Sequence, residues 1–343
     1  MIGSDSKHDT MTKAQVVAQL LPSTYAPKET GASFAPTNIA LCKYWGKRNT
    51  ELNLPATSSL SIALPGKGAF TKVMLSTQAE DTVTLNGLSI ATNTSFYRRL
   101  TQFIELFRKK VMWRLHIEIQ MTIPVAAGLA SSACGFAALT MALNDLFQWQ
   151  LPLRDLSILA RLGSGSAARS LWSGFVEWHQ GEREDGMDCY AEPLSMQWPS
   201  LCVGILTISQ KEKFLSSREA MLRTVKTSDL YRCWPDKVQR DLTQLKRAIH
   251  EGDFTTFGMT AESNALAMHA TMLSSWPPIC YALPETLAAM QQLWELRQQG
   301  IEVYFTQDAG PNLKFLFLEE SKPLINKQFS NLDIIYPFKQ RVG

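Results

Sequence analysis

Residues 124–135 read PVAAGLASSACG, small and uncharged after the proline, and run into FAALTMALNDLF, which is apolar on almost every face, as a buried helix would be. The helix entrance is where chemistry belongs. Gly128 permits close approach of another body, and Ser131 and Ser132 set hydroxyls beside first-turn amides that lack intrahelical partners, so an anion is attracted there. Tight packing of a Gly- and Ala-rich helix against a sheet uses the same residues. Neither G-x-x-x-x-G-K-[ST] nor G-x-G-x-x-G is present, and the stretch holds no lysine. A bound polyphosphate must take its cations from elsewhere.

Three segments carry suitable groups. In CKYWGK, Lys43 ends a strand pattern, and Tyr44, Trp45 and Gly46 lead to Lys47 at the entry of a loop. Two ammonium groups beside a tyrosine hydroxyl suit a diphosphate or a carboxylate, although a solvated strand end with an aromatic plug has the same composition. In GSGSAARSLWSG, residues 163–174, Ser164, Ser166 and Arg169 lie close together among small neighbours, which describes an anion-binding nest or a flexible connector. In FLSSREAMLRT, Ser217 and Arg218 begin a helix pattern and add a phosphate contact. Asp308 stands apart, following the strand VYFTQ and opening the tight turn DAGPN. There it serves either the turn itself or a substrate hydroxyl, whose proton it would accept or orient during phosphoryl transfer. The five histidines show no metal-ligand spacing.

These residues need elements to hold them. Residues 1–33 are polar or mixed and read as a loosely held extension. From 34 to 92 the pattern is β-rich, with FAPTNIALCKYW, SSLSIAL and AFTKVMLS as separate strands and VTLNGLSI as a hairpin around Asn86-Gly87. A helix over 94–110 precedes the strand LHIEIQM, LPLRDLSILARL is an amphipathic helix ending at Gly163, and FVEWH and CVGILTI are further strands. The 216–300 region is helical, including PETLAAMQQLWELRQQG with proline in its first turn and glycine after its end. Strands return in VYFTQ, LKFLFLE and LDIIYPF. This order predicts an α+β chain of two layered lobes, 34–200 and 201–343, with the site in the cleft between them.

With 343 residues, 45% hydrophobic and 19% charged, the chain is long enough for two fused lobes. Its net charge of +3 comes from 34 basic and 31 acidic residues with no dense basic run, which speaks against a nucleic-acid partner. No apolar run approaches the roughly 18 residues needed to span a membrane, and MIGSDSKHDTMTK is too polar for a secretory signal. A cytoplasmic protein with no membrane partner is expected. The six cysteines form no CxxC pair and mostly sit in apolar runs, as reduced core residues do.

Taken together, these segments resemble the diphosphomevalonate decarboxylases of the GHMP kinase superfamily. The likeness runs in order through APTNIALCKYWGKRNTELNLPATSSLSIAL, PVAAGLASSACGFAAL, ARLGSGSAARSLWSGFVEW, EDGMD, SSREAMLRTVKTS, ESNALAMHAT with WPPICY, and DAGPN, covering most of residues 34–318. It implies a GHMP-kinase-like α+β fold of two lobes with ATP and substrate in the cleft. The implied reaction phosphorylates the tertiary hydroxyl of mevalonate 5-diphosphate with ATP and Mg2+, then releases phosphate and CO2 to give isopentenyl diphosphate. By position, Pro124, Ala126, Ala127, Gly128, Leu129, Ala130, Ser131 and Ser132 would hold the ATP phosphates, with Ser132 nearest the transferred group. Tyr44, Trp45, Gly46, Lys47, Ser164, Gly165, Ser166, Arg169, Ser217 and Arg218 would line the substrate. Asp308 would face the tertiary hydroxyl with Lys43 close by, and Arg169 would hold the substrate carboxylate. The resemblance further implies a homodimer, and it leaves the magnesium ligands unassigned. Rival expectations within the same fold are a small-molecule kinase or decarboxylase acting on mevalonate or its monophosphate, and a catalytically silent binding protein. KYWGK, GSGSAxR and DAGPN together favour decarboxylation.

Overall fold

The computed structural model describes residues 11–23, 26–108, 113–123 and 131–339. The chain opens with α1 (Lys13–Leu20), β1 (Thr30–Cys42), the short β2 (Lys47–Asn49) and β3 (Leu54–Pro55), and β4 (Ser59–Ser76). β5 (Thr82–Leu85) and β6 (Leu88–Ser89) form the expected hairpin, whose Asn86 and Gly87 both take positive φ, 49° and 81°, as a tight two-residue turn requires. Next come α2 (Ser95–Glu105), β7 (Arg114–Met121), α3 (Ser131–Leu146), α4 (Leu153–Gly163), a 3-10 turn over Gly165–Arg169, β8 (Phe175–Trp178) and β9 (Ala191–Pro193). The first sheet runs β6-β5-β7-β4-β8-β9, and β1 lies along the other edge of β4.

Two expectations are corrected here. SSLSIAL and AFTKVMLS are one strand rather than two, because β4 passes straight through PGKG. Pro36 pairs with Gly68 while Thr37 pairs with Leu64, so Pro65, Gly66 and Lys67 form a bulge. Gly66 has φ 73°, and turn residues that look like a chain break are absorbed as extra strand length. Residues 13–21 are likewise not loose. A capping box starts α1, with Thr12 and Gln15 exchanging side-chain and backbone hydrogen bonds. Val16, Val17 and Leu21 are buried in the main core, and α1 packs on α4.

The second part contains β10 (Leu201–Leu206), α5 (Ser217–Thr227), α6 (Trp234–Glu251), α7 (Phe254–Leu273), α8 (Pro284–Gln298), β11 (Val303–Gln307), β12 (Leu313–Leu318), α9 (Lys322–Gln328) and β13 (Asp333–Ile335). Its antiparallel sheet has the order β11-β12-β10-β13. Alternation along β12 sends Leu313, Phe315 and Phe317 into a small core with α8 and α9 residues, and Leu316 into the main core. Lys314 therefore shares the face of Leu316, towards the first sheet. α7 packs against both β1 and β11 and joins the two sheets through Phe257, Ala261, Met268 and Met272.

A close backbone approach sits at Gly31 of β1, where an added methyl would run into the Leu146 amide nitrogen and the Ala142 carbonyl at the end of α3. Gly31→Ala is expected to destabilise the protein by about 1–3 kcal/mol, since neither partner is a side chain that can swing away. A urea denaturation midpoint equal to that of the parent protein would contradict this packing.

Candidate active site

A cavity of about 570 Å³ opens where the end of β1, the start of α3, the 163–169 segment, the start of α5 and the turn after β11 converge. Residues from both halves of the chain line it.

Asp308 occupies the turn after β11. The turn is held by its own bonds. The Asp308 carbonyl accepts from the Gly310 amide at 2.7 Å, and Asn312 accepts from the Ile208 and Ser209 amides at 2.7 and 2.9 Å. The carboxylate plays no part in that scaffold. Its Oδ1 accepts from Lys43 Nζ at 2.8 Å and its Oδ2 lies 3.1 Å from Lys314 Nζ. Both lysine side chains are all but closed to solvent, at 2% and 1%, whereas the Asp308 side chain remains 24% exposed. The acid thus faces the cavity with two ammonium groups behind it. Burial alone would raise its pKa, but Lys314 and Lys43 outweigh burial and hold the carboxyl well below the usual carboxylate range. It is ionised and a weak base.

The supports of this group come from α7. Asn264 accepts from the Lys43 amide at 2.8 Å, and its own amide group donates to Asp241. Lys43 Nζ also donates to the Ala40 carbonyl at 2.8 Å, yet burial still lowers its pKa to about 8 against the opposing pull of Asp308. His269 Nε2 lies 3.2 Å from the Asp308 carbonyl, which can only accept, so that nitrogen carries the proton. Burial, followed by Lys43, pushes this histidine down to about 4, so it is neutral and fixes the backbone of the acid.

Opposite Asp308 stand Tyr44 and the 3-10 turn. The Tyr44 ring meets Trp178 edge-on at 4.9 Å, and its hydroxyl is buried without a protein partner. Such an atom costs free energy unless a ligand satisfies it. Gly165 is needed because a methyl there would stand 2.8 Å from the Tyr44 oxygen. Far from being a flexible connector, the segment is buried at Gly165, Ala167, Ala168 and Arg169. Arg169 donates to Ser59 Oγ at 2.7 Å and Asn38 Oδ1 at 3.3 Å, leaving Nη2 with no hydrogen-bond partner among the described residues. Ser132 Oγ at the start of α3 lies 3.3 Å from Ser164 Oγ, which lies 3.4 Å from Ser166 Oγ. That hydroxyl chain connects the expected nucleotide end to the expected substrate end.

The outer part of the cavity is cationic. Lys47, Arg99, Lys213 and Arg218 line it, and none forms an ion pair among the described residues. Lys47 donates to Asn53 at 2.6 Å, and burial, then Arg218, Lys13 and Arg99, lower its pKa to about 8. Lys213 is brought to about 8 by burial and then Lys314. Ser217 also lines the cavity, beside Ser216, which caps α5 in a box with Glu219. This surplus of positive charge suits a polyanion.

Of the expected residues, Lys43, Tyr44, Trp45, Lys47, Ser132, Ser164, Gly165, Ser166, Arg169, Ser217, Arg218 and Asp308 are gathered at the cavity. Gly46 is not. It has φ 109° and backs onto the Tyr231 side chain, which accounts for glycine at this turn. Pro124, Ala126, Ala127, Gly128, Leu129 and Ala130, expected at the phosphates, lie outside the described residues, as does the Ser131 side chain. Sequence reasoning missed Arg99, Lys213, His269 and Lys314. Only Lys314 left a signal, a lone cation at an inward position of an apolar strand.

No group of three or more His, Cys, Asp or Glu side chains among the described residues could cage a metal ion. The cavity carries the Asp308 and Glu219 carboxylates and the serine hydroxyls, a donor set that fits magnesium held chiefly by the phosphates of a nucleotide.

The diphosphomevalonate decarboxylase-like N-terminal domain matches residues 35–191, and the mevalonate 5-diphosphate decarboxylase C-terminal domain matches residues 203–341. Diphosphomevalonate decarboxylase from Saccharomyces cerevisiae is 36% identical over 312 residues, spanning 85% of this chain and 79% of the yeast protein. Among solved structures, MDDEF in complex with MVAPP, AMPPCP and magnesium aligns with a TM-score of 0.84 and 39% identity, covering 90% of this chain and 97% of that one. Mevalonate diphosphate decarboxylase from Staphylococcus aureus gives 0.83 and 38%, covering 90% and 94%.

A cavity whose lysines titrate near pH 8 should bind anions in a pH-dependent way. A lysine is charged below its pKa, so an anion draws protons onto Lys47 and Lys213 where they are partly neutral. Calorimetry with inorganic diphosphate is expected to show proton uptake around pH 8 and weaker binding as the pH rises further, with the uptake blunted in Lys47→Ala. Binding with no difference in uptake between parent and variant would remove Lys47 from the anion site.

Proposed function

The chain belongs to the diphosphomevalonate decarboxylase family, and from that premise we propose how its own residues carry the reaction. It catalyses the ATP-dependent decarboxylation of mevalonate 5-diphosphate to isopentenyl diphosphate, with ADP, phosphate and CO2 as the other products. Magnesium, when bound with ATP, neutralises charge on the phosphates and makes the terminal one a better acceptor.

The observation that carries the assignment of roles is the ionised Asp308 facing the cavity from its two lysines, in the same cavity as the Ser132–Ser164–Ser166 hydroxyls. Asp308 faces the tertiary hydroxyl, orients its O–H and accepts its proton late, as the forming O–P bond makes that proton acidic. A loose phosphoryl-transfer transition state asks for alignment more than for a strong base, which fits a carboxylate of low proton affinity. Ser132 positions the transferred phosphoryl group. In the second step the C–O bond breaks with departure of phosphate, and positive charge develops on the tertiary carbon. Asp308 stabilises that charge. Arg169 holds the substrate carboxylate in line, so that the pair of electrons from the breaking C–C bond forms the new double bond as CO2 leaves. Lys47, Ser217 and Arg218 grip the diphosphate, and Tyr44 gives its unpartnered hydroxyl to the substrate. The lobes are taken as 34–200 and 201–343, since the strands of the second sheet begin at Leu201. A cytoplasmic homodimer follows from the family resemblance, and light scattering on the purified protein tests the dimer.

ADP and CO2 are expected in equal amounts from mevalonate 5-diphosphate. ADP with a stable phosphorylated product and no gas would instead mark a kinase. Asp308→Asn keeps the size of the side chain and removes its charge. It is expected to fold, to bind ATP and substrate, and to lose on the order of 10³-fold in turnover. Near-normal turnover in the folded variant would leave Asp308 with no catalytic role.

A further inference from the structure

β1 ends at Cys42, so Lys43 stands one residue past the strand, and its place relative to Asp308 depends on what holds the chain there. The holders belong to the second half of the chain. The Trp45 carbonyl accepts from the Tyr231 hydroxyl at 3.1 Å and from Trp234 Nε1 at 2.9 Å. The Lys43 N–H donates to Asn264 Oδ1 at 2.8 Å. Asn264 is closed to solvent, and its Nδ2 donates to Asp241 Oδ2 on α6 at 2.8 Å and lies 3.7 Å from Cys42 Sγ. One turn earlier on α6, Lys237 places its Nζ 2.9 Å from the same Asp241 oxygen and donates to Ser263 Oγ of α7 at 3.1 Å. The Asp241 side chain is only 10% exposed and does not line the cavity. A primary amide fits a pocket of its own shape either way round, and its partners decide which way. The Lys43 N–H can only donate and a carboxylate can only accept, so one orientation of Asn264 satisfies both.

We propose that Asp241 is a positioning residue for the reaction: by fixing which way Asn264 faces, it sets the backbone of Lys43 and, through the Lys43 ammonium 2.8 Å from Asp308 Oδ1, the direction of the acid. The proposal rests on the reaction assigned above. Without a carboxylate at 241 the amide is free to turn over, and its NH2 would then meet the Lys43 N–H donor to donor. The end of β1 would shift, carrying the lysine and the carboxylate it holds. Phosphoryl transfer depends on alignment, and a misplacement of about 1 Å at the reacting groups costs on the order of 10²-fold. Among the described residues, Asn264 bonds to none of the groups assigned to the diphosphate, so the effect belongs to turnover and not to substrate capture.

The test uses full-length protein with ATP and mevalonate 5-diphosphate, below the unfolding midpoint of every variant. Asp241→Leu is expected to lose about 10- to 100-fold in kcat, while KM for each substrate stays within about twofold of the parent. Asn264→Asp alone sets two carboxylates against each other and should lose at least as much. Combining it with Asp241→Asn exchanges donor and acceptor, keeps an acceptor for the Lys43 N–H, and should bring kcat back to within about fivefold of the parent. Hydrogen exchange at the Lys43 backbone amide gives a reading without turnover: faster in Asp241→Leu and in Asn264→Asp, slow again in the exchanged pair. A kcat within about threefold of the parent in folded Asp241→Leu, a loss carried by KM, or an exchanged pair no better than Asn264→Asp would overturn the proposal. If Asp241→Leu did not fold, the exchanged pair against Asn264→Asp would decide. If the parent protein released no CO2 from mevalonate 5-diphosphate, the assigned reaction would fail, and amide exchange would still decide whether Asp241 sets the Lys43 backbone.

Discussion

Burying Lys43 and Lys314 side by side is costly, because each ammonium loses nearly all its hydration and the two repel, and Asp308 offsets part of that cost. One carboxylate shared between them makes the arrangement tolerable and in doing so fixes its own position and charge. The exposed edge of that carboxylate faces the cavity. Everything near it can be read as support: Asn264 holds the Lys43 backbone, His269 holds the Asp308 carbonyl, and Asn312 ties the turn to residues 208 and 209. The arrangement leaves a net positive charge beside the cavity, which suits anionic ligands.

The cavity is electrically graded. Near Asp308 the charges are paired and buried, so their directions are set before a ligand arrives. Towards the rim, Arg99 and Arg218 are exposed and unpaired, which attracts anions from solution and leaves their final placement to the ligand.

Much of the outline was legible because local signals suffice for it. Asn86-Gly87 marks a hairpin, Pro284 and Gly300 bracket α8, and VYFTQ followed by DAGPN places Asp308 at a strand end. What escaped depends on partners distant in sequence. PGKG reads as a break unless β1 is known to lie opposite, and Val16 and Val17 reveal a docked helix only once α4 is in place. Lys314 looks like an ordinary strand residue until the face it shares with Leu316 is assigned. Arg99 and Lys213 come from a helix and a loop with no motif of their own. For Gly46 the resemblance assigned a contact, whereas its positive φ and the Tyr231 ring behind it explain the glycine without any ligand.

The core shared across α7 also bears on synthesis of the chain. A ribosome releases β1 and β4 long before α7 and β11 exist, so Cys42, whose thiol meets the Val238 carbonyl and Asn264, must wait for the covering it has in the finished protein. Lys43 waits as well, with neither Asn264 nor Asp308 yet made. During that interval the nascent first half presents an apolar strand face of the kind that invites aggregation or chaperone capture. Only arrival of the second half makes the first complete, so a chain stopped near residue 200 would lack both its cover and its acid.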